Sequence, residues 1–121
     1  APDFICLNFA NTDMVGHTGV YSAILQAAET VDNCVKEVVN IGLENGYSFI
    51  IIADHGNSDY MINDDGSPHT AHTLNPVPCF VVGNNVTALK VQNGKLGDVA
   101  PSILKLFGLE QPTEMDGTPL F

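Results

Sequence analysis

Side chains that can bind a metal gather in three places along the chain. Asp13 and His17 lie four residues apart in a polar segment. Asp54 and His55 directly follow an apolar run, and His72 lies in a second polar segment. Carboxylate and imidazole groups without a thiolate favour Mn²⁺, Zn²⁺, Fe or Co over a purely structural zinc. The pattern predicts a divalent-metal site.

Each of these groups also has an ordinary structural interpretation. An Asp-x-x-x-His pair in a loop is commonly a turn former beside a surface histidine, and an aspartate after a strand often forms a turn. His69, close to His72 in the chain, is interpreted as a loop residue without a metal role. Two acidic-plus-histidine groups in one cleft would suit a two-metal centre, in which paired ions hold the attacking and leaving oxygens of a phosphoryl transfer.

The charge of the chain narrows the possible partners. The formal net charge is −10, and the four basic residues are all lysines. Nucleic-acid binding requires a basic face, so this class is excluded. Phosphate sites usually contain arginine or lysine. A phosphate-handling role would therefore need positive charge from a metal or from another part of the protein.

The composition predicts a globular, cytoplasmic protein. Apolar residues make up 45% of the chain, and no apolar run approaches the roughly 20 residues of a membrane-spanning helix. The N-terminus lacks the basic and apolar regions of a signal peptide. Three widely spaced cysteines are interpreted as free thiols in a reducing compartment. We expect no membrane partner.

Periodicity predicts an alternation of strands and helices. Apolar residues at helical spacing predict a helix over 20–45 that stops at Asn45-Gly46, although Thr30 and Asp32 leave open whether it is one helix or two. A second helix is predicted over 98–107. The remaining predictions are strands over 4–9, 47–53 and 79–82, a hairpin arm over 91–96, and loops over 10–19 and 54–78.

This order of elements indicates an α/β layer fold with a mainly parallel sheet. In such sheets the chemistry lies beyond the carboxyl ends of the strands. Neighbouring strand ends would then bring together the loops that carry Asp13, Asp54 and His72. Three strands are few for so apolar a chain, which suggests that the fold continues in sequence not present here.

Four segments carry a resemblance to the cofactor-independent phosphoglycerate mutase family. Asn8 to Gly19 reads NFANTDMVGHTG, Ala53 to Asp59 reads ADHGNSD, and His69 to Pro78 reads HTAHTLNPVP. Residues 97–120 read GDVAPSILKLFGLEQPTEMDGTPL, which is similar to the C-terminus of that family. Phosphopentomutases, which share the metal scaffold, tend to carry a Gly-His-Arg-Arg-Asp type sequence in the first loop. Residues 14–19 (MVGHTG) therefore favour the glycolytic mutase.

The resemblance implies a partial alkaline-phosphatase-like three-layer α/β/α domain with a mainly parallel sheet. Residues 1–121 would form the C-terminal segment of the metal-binding phosphatase-like domain, without its N-terminal part and without the inserted transferase domain. The full-length parent would be a cytoplasmic monomer that interconverts 3-phosphoglycerate and 2-phosphoglycerate in glycolysis.

The resemblance also implies roles for individual residues. Asp13, His17 and His72 would bind one Mn²⁺, while Asp54 and His55 would bind a second Mn²⁺. An aspartate and a nucleophilic serine near the N-terminus of the parent would complete the second site, so no catalytic nucleophile is predicted in this chain. That serine would accept the phosphoryl group and return it to the other hydroxyl of glycerate.

We expect the isolated 121 residues to lack mutase activity, to hold at most one well-formed metal site, and to self-associate through exposed apolar surface. Two alternatives remain open at this point. One is another metal-dependent phosphomutase or phosphatase of the alkaline phosphatase superfamily, and the other is a non-catalytic, metal-binding fragment. Ligand types alone do not identify the metal.

Overall fold

The computed structural model describes residues 1–121 as two compact units. The first unit comprises Ala1–Ile41 and His55–Val77, and the second comprises Gly42–Asp54 and Pro78–Phe121. None of the helices combines the length and apolar character needed to cross a bilayer. The elements in chain order are α1 (Asn11–Gly16), α2 (Tyr21–Glu44), β1 (Phe49–Ile52), β2 (Cys79–Val82), a 3₁₀ turn (Leu96–Asp98) and α3 (Val99–Phe107).

Helix α1 lies where a loop was predicted, so that prediction was wrong. The backbone N–H of Met14 donates to the Ala10 carbonyl, and that of His17 donates to the Asp13 carbonyl. The polar and glycine content of this segment favours a loop when only local propensity is considered. Tertiary packing against Gly16, described below, overrides that propensity.

Helix α2 is continuous over 24 residues, which settles whether the segment forms one helix or two. The Thr30 hydroxyl donates to the Gln26 carbonyl, and the Asn33 side chain donates to the Glu29 carbonyl, each at 2.8 Å. These polar side chains therefore bond back to the preceding turn and leave the helix intact. The helix ends at Glu44, immediately before the predicted stop.

Strands β1 and β2 are confirmed, but they pair antiparallel, with Phe49 opposite Val82 and Ile52 opposite Cys79. The expected parallel arrangement is thus wrong for this pair. Residues 4–9 lie outside any strand, contrary to the prediction. A strand needs a neighbour to satisfy its backbone hydrogen bonds, and β1 and β2 pair only with each other.

Helix α3 and the C-terminal tail form a buried polar junction in the second unit. The fully buried Ser102 hydroxyl donates to the Asp98 carbonyl and accepts the N–H of Leu120. The predicted hairpin arm over 91–96 is absent, because the N–H of Gln92 donates to the Leu120 carbonyl instead. The predicted helix over 98–107 is confirmed. Buried apolar side chains are few, namely Ile24, Val86, Pro101 and Leu120.

Candidate metal centre

Helix α1 and its C-cap residue, His17, supply the first two predicted ligands. Asp13 and His17 are four residues apart, which places them on the same side of a helix. The Nε2 atom of His17 lies 3.3 Å from Oδ1 of Asp13. The helical backbone geometry of residues 13–17 therefore brings this carboxylate and this imidazole together.

The two ends of the hairpin-like loop (residues 56–73) position two further histidines of the cluster, His55 just before the loop and His72 near its end. Gly56 and Thr73 form an antiparallel bridge, in which the N–H of Thr73 donates to the Gly56 carbonyl at 2.8 Å. His55 and His72 each precede one of these bridge residues. Their rings stack with centroids 3.7 Å apart and an interplanar angle of 18°. The base of the loop thus brings together two residues that are distant in sequence.

The three imidazoles converge on one carboxylate oxygen. Oδ1 of Asp13 lies 3.1 Å from Nε2 of His72 and 3.8 Å from Nε2 of His55. The Nε2 atoms of His72 and His17 are 3.3 Å apart. Ligand atoms of Asp13, His55 and His72 all lie within 4.8 Å of one another. The site therefore concentrates electron-pair donors in one place.

Backbone carbonyls fix the orientation of two of the rings. Nδ1 of His17 lies 2.6 Å from the Thr70 carbonyl, and Nδ1 of His55 lies 3.2 Å from the Gly56 carbonyl. Because a carbonyl only accepts, both Nδ1 atoms carry the proton. In the neutral rings the lone pair is then on Nε2, which faces Asp13. This is the usual arrangement for metal-binding histidines.

Asn57 is a part of the site that the sequence reasoning missed. Its Nδ2 donates to Oδ1 of Asp13 at 2.9 Å, and its side chain is buried. A Cβ at Gly16 would clash with the Asn57 amide, so only glycine permits this approach. The hydrogen bond from Asn57 lowers the pKa of Asp13 below its ordinary value of 3.8. The sequence offered one signal for this role, because Asn57 lies within the motif ADHGNSD.

The donor set fits a divalent cation. Three imidazoles and an ionised carboxylate suit Mn²⁺, Zn²⁺, Fe or Co. Two of the imidazole lone pairs face the same carboxylate oxygen, so a cation among them would relieve the repulsion between these donors. The fit rests on this chain's own side chains and on the carbonyls that orient them.

The predicted ligands differ in how the structure places them. Asp13, His17 and His72 lie together, as the predicted first site requires. His55, assigned by resemblance to a second ion, lies against the same carboxylate. Asp54 is exposed and follows β1 closely, and its metal role stays a prediction. His69 donates its backbone N–H to Met61 and packs its ring edge-on against Tyr60.

The sequence profile of the metalloenzyme superfamily matches residues 1–111. The chain belongs to the metalloenzyme superfamily. Together with the convergent ligands, membership of this superfamily indicates a divalent-metal cofactor, in agreement with the prediction from residue types.

The chain is also similar to individual members of this superfamily. It is 59% identical over 116 residues to 2,3-bisphosphoglycerate-independent phosphoglycerate mutase of Bacteroides thetaiotaomicron, covering 95% of this chain and 23% of that protein. The Flavobacterium johnsoniae enzyme of the same name is 56% identical over 113 residues, covering 93% and 22%. The resemblance drawn from the motifs is therefore confirmed. The chain spans less than a quarter of the length of these relatives.

A solved metalloenzyme structure supports the same fold. A crystal structure of Leishmania mexicana phosphoglycerate mutase at low cobalt concentration superposes with a TM-score of 0.80 and 30% identity. The superposition covers 94% of this chain and 24% of that one. The predicted fold class, a partial alkaline-phosphatase-like α/β domain, is confirmed, although the one strand pair of this chain is antiparallel.

Proposed function

We propose that this chain is the C-terminal, metal-binding part of a phosphoglycerate mutase that does not require 2,3-bisphosphoglycerate. The longer protein would interconvert 3-phosphoglycerate and 2-phosphoglycerate in the cytoplasm, through a phosphoserine whose serine lies outside these 121 residues. The observation that carries the proposal is the convergence of three imidazoles on Asp13, in a chain more than half identical to proteins of that name.

We propose Mn²⁺ as the metal, with Asp13, His17 and His72 holding one ion and Asp54 and His55 contributing to a second. Three distances support this division. The Nε2 atoms of His72 and His17 lie 3.1 Å and 3.3 Å from Oδ1 of Asp13, whereas that of His55 lies farther away at 3.8 Å. The His55 ring lies at the edge of the cluster, where it would bind a neighbouring ion.

Side chains and backbone carbonyls of this chain would hold and orient the centre. The carbonyls of Thr70 and Gly56 fix two imidazole rings, and the Asn57 side chain keeps Asp13 ionised and in place. When bound, the metal would supply positive charge for phosphate binding in a chain that has no arginine and only four lysines. The nucleophile and most of the substrate contacts would come from the rest of the longer protein.

A chimeric enzyme tests this proposal. The matching 116 residues of the Bacteroides thetaiotaomicron relative are replaced by this chain, and the product is assayed for interconversion of the two phosphoglycerates with added Mn²⁺. We expect activity in the chimera and a loss of most of it in the same chimera with His72→Ala. The chimera with His69→Ala serves as the control, because His69 lies outside the convergent cluster.

The outcomes separate the proposal from its competitors. A folded chimera that binds Mn²⁺ yet does not act on either phosphoglycerate would refute the mutase assignment. Turnover of a different phosphate ester by that chimera would indicate another member of the superfamily. The 121 residues alone are expected to be inactive, and turnover by the purified chain would contradict this expectation.

A second candidate is a non-catalytic, metal-binding fragment that associates with itself. Large apolar side chains are exposed, including Phe4, Ile5 and Leu7 in the first unit and Phe80 in the second, each more than half exposed. Exposed apolar surface of this kind favours association. We expect light scattering to show a mass that rises with concentration, and a monodisperse monomer at high concentration would argue against this candidate.

A further inference from the structure

A second polar network lies at the base of the hairpin-like loop, next to the metal ligands but separate from them. Both carboxylate oxygens of Asp59 accept from the Thr73 hydroxyl, at 3.1 Å and 2.9 Å. Oδ2 of Asp59 also accepts from Nδ2 of Asn75. Asp59 thus ties the outgoing side of the loop to the returning side.

This network is built onto the bridge between Gly56 and Thr73. The N–H of Thr73 donates to the Gly56 carbonyl, and its hydroxyl donates to Asp59, which lies with Gly56 on the outgoing side of the loop. A Cβ at Gly56 would clash with the Thr73 hydroxyl and approach Asp59 too closely. The backbone and the side chains at this point therefore fit together closely.

We propose that Asp59 is a positioning residue for the metal centre, which acts through Thr73 to hold His55 and His72 in their stacked arrangement. The proposal rests on the proposed metal-binding function of these histidines. His55 adjoins Gly56 and His72 adjoins Thr73, so a slip of this bridge would separate the two rings. Asp59 itself touches none of the converging ligand atoms.

The charge state of Asp59 suits this role. The hydrogen bond from Asn75 lowers the pKa of Asp59 below its ordinary value of 3.8, with a further contribution from Thr73. The carboxylate is therefore ionised at neutral pH and accepts from both partners. Hydrogen bonds to a charged acceptor are stronger than neutral ones, which favours a fixed register for the base of the loop.

Four variants of the 121-residue protein distinguish a positioning role of Asp59 from electrostatic attraction between its carboxylate and the bound ion. Asp59→Ala removes the carboxylate, whereas Thr73→Val removes the hydroxyl and leaves the charge unchanged. Thr73→Ser retains the hydroxyl and should behave as the native protein. Asp65→Ala is the matched control, because Asp65 accepts from Ser67 in the same loop without bonding across its base.

Two measurements are made on each variant. The first is the NMR shift of the ring protons of His55 and His72 in metal-free protein, which stacking at 3.7 Å moves upfield through ring currents. The second is Mn²⁺ affinity by calorimetry. We expect Asp59→Ala and Thr73→Val to move these ring protons downfield and to weaken Mn²⁺ binding by about 10- to 100-fold, as loss of an outer hydrogen-bond partner typically does. Thr73→Ser and Asp65→Ala should change neither.

Unchanged ring shifts in both Asp59→Ala and Thr73→Val would overturn the proposal, whatever the metal affinity. Weaker Mn²⁺ binding in Asp59→Ala alone, with native ring shifts, would reveal a charge effect and would also overturn it. If Asp59→Ala loses its helical circular dichroism, Thr73→Val and its rescue by Thr73→Ser decide the question. Because the ring shifts need neither metal nor substrate, a folded chimera that binds Mn²⁺ but is inactive would refute the mutase assignment and leave this proposal standing.

Discussion

Nε2 of His72 lies 3.1 Å from Oδ1 of Asp13, although α2, β1 and most of the hairpin-like loop separate the two residues in the chain. The contact joins a short helix to the returning side of a long loop. A contact between segments so distant in sequence carries a large entropic cost of loop closure. The bridge at Gly56 and the hydrogen bond from Asn57 to Asp13 help to offset that cost in the first unit.

Replacing His72 by alanine should abolish the metal site of the 121-residue protein. Titration of the metal-stripped protein with Mn²⁺ in a calorimeter should give about one equivalent for the native chain if Asp13, His17 and His72 form one site, as proposed. The variant should show no measurable binding in the same range.

His69→Ala provides the control for this titration, since it removes a histidine of the same loop that lies outside the cluster. We expect it to bind Mn²⁺ as the native protein does. Equal binding by native protein and His72→Ala would mean that the ion is held elsewhere. Absence of binding by the native protein would mean that the ligands need the rest of the longer protein to hold an ion.

Gly16→Ala should destabilise the first unit and weaken metal binding together. The added Cβ would clash with the Asn57 amide, and overpacking of this kind costs about 1–3 kcal/mol. Urea unfolding measures the free energy, and calorimetry measures the Mn²⁺ affinity. Gly97→Ala is the control, because the nearest heavy atom to its Cβ, Cε of Lys95, lies 3.7 Å away. Native stability and native Mn²⁺ affinity in Gly16→Ala would show that neither property depends on the present position of the Asn57 side chain.

The free energy of unfolding should fall in acid, and part of this loss should come from Asp98. Backbone N–H groups of Lys95 and Thr118 donate to its carboxylate and hold the pKa of Asp98 below 3.8. A lowered folded-state pKa stabilises the protein above the unfolded value and ceases to do so as the pH falls through the folded value. The difference in unfolding free energy between native protein and Asp98→Asn should therefore narrow between pH 5 and pH 2, and a constant difference would contradict this role.

Ser102→Ala should destabilise the second unit by about 1–3 kcal/mol, the usual cost of leaving a buried polar group unsatisfied. The hydroxyl of the fully buried Ser102 accepts the N–H of Leu120 at 2.8 Å, and alanine offers no replacement. Denaturant unfolding measures the loss. Ser22→Ala, at an exposed position of α2, should change the unfolding free energy by less than about 0.5 kcal/mol. A similar small change in Ser102→Ala would show that water reaches the Leu120 N–H.

Several elements followed from local sequence patterns. The apolar periodicity of α2, the apolar run of β2 and the amphipathic α3 were each predicted at nearly their observed positions. These patterns are visible within short stretches of sequence, because each records which side of a helix or strand is apolar. Helix α1 was missed, because its short polar sequence is stabilised by packing of Asn57 against Gly16 rather than by helix propensity.

The sequence by itself determined the ligand types and the family resemblance, because each depends on residue identity and short spacing. The antiparallel register of β1 and β2, the stacking of His55 on His72 and the contribution of Asn57 were decided only by the tertiary structure. These features depend on backbone hydrogen bonds between distant segments. Such bonds have no local signature, since any non-proline residue can donate and accept them.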